Sequence, residues 1–125
     1  MGKDRSRAIR WLRQPKAGNY PAALSYLSLI FPGKVASGYV RKLKRAPVSE
    51  FKSKDIFRAS GLPLLGPGNH FVDKDRRKIL EGEALSPILL VRDEITHRVI
   101  VADGYHRLCS VYGLDEEAPI PCKIV

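Results

Sequence analysis

No apolar run in this chain approaches the roughly 20 residues that a membrane-spanning helix requires. Nor does a secretory leader follow the basic N-terminus, because Trp11 and Leu12 are hemmed in by Arg10 and Arg13. The expected setting is therefore the cytoplasm, bacterial by default, with no membrane partner. Cysteine is scarce: Cys109 and Cys122 are the only two, and they lack the Cys-x-x-Cys spacing of zinc or redox sites. Both sit among apolar residues and are expected to be reduced core thiols. At 125 residues the chain suits one domain and can bury a core without a disulfide or metal. No His/Cys/Asp/Glu set has metal-ligand spacing, and no Ser-His-Asp arrangement can be argued.

Acid is missing where base is abundant. Residues 1–50 hold 11 Lys/Arg against only Asp4 and Glu50, so the whole excess of +9 lies there. Residues 51–125 are balanced, with 11 of each sign. A basic segment on a neutral body suits a polyanion such as DNA or RNA, and equally suits a solubilising face.

Residues 1–18 read as a basic tail, with disorder and a short helix around Ala8–Leu12 as equal alternatives. Residues 19–47 read as a helical extension. Asn19 is the expected cap of a first helix carrying Tyr20, Leu24, Leu27 and Phe31 on one face. Pro32-Gly33 breaks it, and a second helix over 34–46 follows, with Val35, Tyr39, Leu43 and Ala46 on its inner face. Its other side shows Arg41, Lys42, Lys44 and Arg45, the candidate nucleic-acid contacts.

Residues 48–125 read as the core, an α+β arrangement. The spacing predicts a helix over 53–60 with Ser53 as N-cap and Gly61 as stop, then a Pro/Gly loop. A helix over 73–81, capped by Asp73, ends at Gly82. The apolar runs 87–93 and 98–103 predict a strand pair, followed by a helix over 105–112 closed by Gly113 and a last strand in "APIPCKIV".

The junction "VIVADGYHRLCSVYG" carries the chemistry. First-turn N–H groups of a helix lack partners and carry the positive end of its dipole. Gly104 lets a ligand approach closely, Arg107 offers a fork of donors, and His106 adds one more. Residues 103–107 thus read as a phosphate-binding turn. The competing reading makes Asp103 the helix cap, which would put a carboxylate where the phosphate belongs unless a divalent cation bridged the two.

The segment "SPILLVRDEITHRVIVADGYHRLCSVYGLDEEAPIPCKIV" resembles the ParB/sulfiredoxin superfamily. Leu85 to Ile88 resembles the entry to its first core strand, Asp103-Gly104 with His106-Arg107 its "DG-x-HR" box, and Pro121 to Val125 its closing strand. The resemblance spans about residues 48–125 and implies a small mixed sheet with helices, preceded here by a helical basic half. It further implies binding of ATP, ADP or CTP with Mg²⁺, phosphate contacts from Asp103, Gly104, Tyr105, His106 and Arg107, and metal contact from Asp103. Hydrolysis and phosphoryl transfer are the chemistries it allows. A nuclease label also occurs in the superfamily, but no metal cluster here supports one.

Departures narrow this. Tyr105 stands where sulfiredoxin carries its catalytic cysteine, so repair of oxidised cysteine is not expected. The arginine-rich first box of full partition proteins is missing, and no helix-turn-helix segment follows by Val125. Asp103 and Glu81 are the candidate catalytic carboxylates, Glu81 as a general base for an acceptor hydroxyl, although Glu81 and Glu83 read first as solvated helix-end charges. His70, His97 and the acidic turn at 115–117 read as exposed, and Tyr112 as core. The alternative function is a non-catalytic nucleic-acid-binding or partner-docking module using the basic half. Oligomeric state is left open.

Overall fold

Two apolar runs lie side by side and organise the rest. In the computed structural model, which describes residues 9–125, β4 (Ile88–Asp93) and β5 (Arg98–Asp103) form an antiparallel pair with a register shift between Leu89 and Leu90. β6 (Pro119–Ile124) lies parallel to β4 on its other side, and β2 (Ser49–Lys52) pairs antiparallel with β6. The sheet order is β2-β6-β4-β5.

Helices cover both faces, which explains why β4 is apolar without alternation. Ile88, Leu90, Val101, Ile120 and Cys122 point to one side. They pack there against α3 (Ser53–Ser60), α4 (His70–Leu80) and α5 (Tyr105–Leu114), through residues such as Ile56, Ile79 and Leu108. Leu89, Val91 and Ala102 point the other way, against α1 (Asn19–Ile30) and α2 (Gly33–Arg45). This is a small α+β fold with five helices and a mixed sheet among the described residues.

Several local expectations are corrected. Residues 10–11 are neither helical nor loose: Arg10–Trp11 forms β1, which pairs parallel with β3 (Ala84–Leu85), and Ile9 is buried in the core. Residues 1–8 of the expected tail lie outside the described residues. Asn19 does not cap α1; its side chain accepts from Ser86 Oγ, tying the helix start to the entry of β4. Ser53 does not cap α3 either, because its buried hydroxyl donates to the Glu116 carbonyl at 2.7 Å. In α2 the inner face is Ala36, Val40 and Leu43, while Val35 is exposed, so the small side chain admits the close packing. α4 begins at His70 because Asn69 Oδ1 accepts from the Phe71 and Val72 N–H groups. Gly113 lies inside α5 and does not close it.

β6 carries one buried cation. Lys123 faces the α1–α2 side, and its Nζ donates to the Lys44 carbonyl at 3.0 Å. That carbonyl belongs to the last turn of α2, where the helix dipole favours positive charge. The Tyr20 ring lies 5.7 Å from the same Nζ.

Both cysteines are free and buried. Burial pushes the Cys122 thiol up to about 11 and raises that of Cys109 as well. A thiol raised in the fold stays protonated near neutral pH and is a poor nucleophile. Ellman's reagent at pH 8 should therefore titrate neither thiol in the native protein and both in guanidinium. A fast native reaction at either position would contradict this packing.

Candidate functional site

The strand-to-helix junction is forced into shape by glycine. Gly104 stands as N-cap of α5 with φ 111° and ψ 18°, a conformation that side chains rarely adopt. It also lies tight against its neighbours. A Cβ at Gly104 would fall 2.4 Å from Ile88 Cγ2 and 2.9 Å from Arg107 Nη2. Ile88 is fully buried at the start of β4, so it cannot give way. Glycine here thus serves the fold.

Asp103 does not cap the helix. No side-chain bond caps α5; the Asp103 carboxylate turns to Arg107, whose Nη2 stands 3.2 Å from Oδ2. The two side chains are only 20% and 16% exposed, so the pair is largely out of water. Burial raises the Asp103 carboxyl above its ordinary value, and the charge and hydrogen bond of Arg107 pull it back without cancelling that effect. Arg107 is also incompletely used, since its buried Nε has no hydrogen-bond partner among the described residues. The fork of donors that the sequence assigned to Arg107 is thus partly taken up by a carboxylate of the chain itself. The i,i+4 spacing of Arg107 from Asp103 was the signal for the pairing.

Above the turn opens a groove of about 440 Å³, lined by Asp103, Gly104, Tyr105 and His106 of the turn together with Ala22 and Tyr26 of α1 and Leu62 of the Pro/Gly loop. Tyr105 donates its hydroxyl to the Pro63 carbonyl, which fastens the Pro/Gly loop to α5. His106 lies against Phe71, with ring centroids 5.1 Å apart and the planes tilted by 36°, and Phe71 is itself 56% exposed. Nothing in the linear pattern announced Tyr26, Leu62 or Phe71 as neighbours of the turn, because they arrive from α1, the loop and α4.

The other candidates are not brought to this place. Glu81 lines a separate cavity of about 330 Å³ along α4, together with His70, Asp73, Arg77 and Glu83. Arg41, Lys42, Lys44 and Arg45 lie on the outer side of α2, exposed, with Lys42 above Tyr39 and Lys44 above Tyr20. None of these four forms an ion pair among the described residues. No group of three His, Cys, Asp or Glu side chains is gathered to hold a metal among the described residues. With Asp103 engaged by Arg107, the donors at the turn do not fit a resident Mg²⁺.

The fold and the turn thus define a small α+β protein with an uncapped, glycine-preceded helix start opening on a groove. No family model, no curated protein and no solved structure matches the chain. No helix among the described residues is long and apolar enough to cross a membrane.

Replacing Gly104 by alanine should cost about 2–5 kcal/mol, from backbone strain and the clash with Ile88. Gly61→Ala, at φ 66°, meets only the guanidinium end of the long Arg98 side chain and should cost about 1 kcal/mol. Urea unfolding of the two variants checks the order. Equal losses would contradict the close approach at Ile88.

Proposed function

We propose that the β5–α5 turn binds the phosphate groups of a nucleotide of the ATP, ADP or CTP type. One observation carries this reading: the first turn of α5 has no side-chain cap and meets the end of an open groove through a left-handed glycine. Free N–H groups at a helix start attract an anion by hydrogen bonding and by the helix dipole. The Gly104 backbone approaches the anion, His106 donates a further hydrogen bond, and Arg107 supplies charge once the anion competes with Asp103 for it. Tyr105 holds the loop wall in place. The likeness of residues 86–125 to the ParB/sulfiredoxin superfamily supports the same assignment. No catalytic group is assigned, since no carboxylate other than Asp103 lines the turn groove.

Calorimetric titration with ATP, ADP, CTP and inorganic phosphate tests the proposal. Arg107→Ala should weaken nucleotide binding at least tenfold, because a charge-assisted contact of about 1.5–3 kcal/mol is lost. Asp103→Asn should tighten it several-fold by removing the competing carboxylate and releasing Arg107. Absence of nucleotide binding by the unmodified chain contradicts the proposal. Weaker binding by Asp103→Asn would instead give Asp103 a direct role in holding the ligand.

A second reading is favoured by one specific feature, the four exposed cations on α2 in a segment without acid from residue 5 to 49. That face suits a nucleic-acid backbone, with counterion release as the source of affinity. Changing Arg41, Lys42, Lys44 and Arg45 together to glutamine should then weaken binding to duplex DNA or RNA and flatten its salt dependence. Unchanged affinity and slope would remove this reading and leave the nucleotide site untouched.

A further inference from the structure

β5 is an outer strand of the sheet, with β4 on one side and no strand on the other. Beyond its pairing with β4, no backbone hydrogen bond engages residues 98–103 among the described residues. Natural proteins usually protect such an edge with lysine, proline, a bulge or a covering element. Here the only charges stand at the two ends, Arg98 and Asp103, and the middle reads Val99-Ile100-Val101-Ala102. The register shift lies on the β4 side and leaves the outer edge alone.

The surroundings of that edge have the shape of a slot. α1 packs on one face of β5 and α3 on the other, so the edge lies between the two helical layers. Ala22 and Tyr26 form one wall and Ser60 and Leu62 the other, while every residue from Arg98 to Asp103 lines the floor. The groove above the turn, about 440 Å³, and a second cavity of about 140 Å³ farther along the strand share Tyr26, Leu62 and Val101 in their linings.

We propose that this edge takes up an extended acidic peptide as an additional strand of the sheet. Main-chain hydrogen bonds to an exposed strand give such binding its affinity, and side-chain pockets give it selectivity. Six extended residues span about 20 Å, the length of β5. Charge selects the occupant. Arg98 is exposed and forms no ion pair among the described residues, and it stands at one end of the slot. His106 and the uncapped first turn of α5 stand at the other. The single carboxylate lining the slot, Asp103, already faces Arg107. A second copy of the chain would carry its own Tyr26 and Leu62 walls into the same space, whereas a lone extended segment fits between them. The inference rests on the phosphate-turn reading only at the α5 end, since strand pairing along residues 98–102 needs no phosphate.

The test uses the full chain labelled with ¹⁵N and an acetylated, amidated hexapeptide with glutamate at both ends and alternating valine and threonine between them. Binding should slow hydrogen exchange at amides within residues 98–103. It should weaken at least tenfold when alternate peptide amides are N-methylated, and severalfold on Arg98→Glu. No binding, or equal binding by the N-methylated peptide, overturns the inference. So does a free protein that dimerises with those amides already protected. The same samples titrated with ATP separate the two claims. Nucleotide binding without peptide protection at β5 overturns this inference alone, while peptide protection without nucleotide binding sustains it and removes the phosphate reading.

Discussion

The chain reverses at Gly104, and the site depends on how it does so. A left-handed residue with φ 111° ends β5 and starts α5, and the absence of a Cβ lets this turn settle directly on Ile88. Ile88 is also the first residue of β4, so the turn is seated on the strand that is paired on both sides. Moving the turn outward would open the core at Ile88, Leu90 and Leu108, which pack together beneath it. The shape of the turn is thus set by close packing against Ile88. First-turn N–H groups can be left uncapped because the helix is held elsewhere, for example by Ser110, whose hydroxyl donates to the Val72 carbonyl of α4 at 2.8 Å.

The same construction explains the division of the molecule. Two helical layers sandwich one sheet, and their boundaries meet at β5, so the site and the free strand edge share one groove. Basic residues are gathered instead on α2, none of whose residues lines that groove. There Lys123 neutralises the negative end of α2 from within, and Lys42 and Lys44 lie over tyrosine rings on the outside. Charge and groove are therefore separate features of the surface. An anion held at the turn and a polyanion along α2 would not compete for the same side chains.

Much of the sheet was legible in the sequence, and the reasons are specific. β4 and β5 are apolar runs rich in Val, Ile and Leu, and the helix 53–60 was bounded correctly because Gly61 takes the left-handed stop at φ 66°. The edge strand β2 was not legible: Glu50, Phe51 and Lys52 are exposed, so it carries no apolar alternation. The pairing of β1 with β3 involves two residues each, too few for any periodic signal. Val35 was placed inside by its helical spacing with Tyr39 and Leu43, yet the buried face is one residue on, at Ala36, Val40 and Leu43. At the turn, Asp103, Gly104, Tyr105 and His106 line one groove. The engagement of Arg107 by Asp103 was not legible, although their i,i+4 spacing allows it, because how far both side chains leave water is not readable from spacing. The likeness to the ParB/sulfiredoxin superfamily concerns the same residues and remains a proposal about them.

The central claim is that the start of α5 presents an open, positively polarised set of backbone N–H groups. Its most direct measurement is a ¹⁵N–¹H titration of the chain with ATP and with inorganic phosphate, following the amides of Gly104, Tyr105 and His106. The account predicts saturable shifts concentrated at these three amides, larger for ATP than for phosphate. Shifts confined to α2, or no saturable shift at the turn, would contradict it.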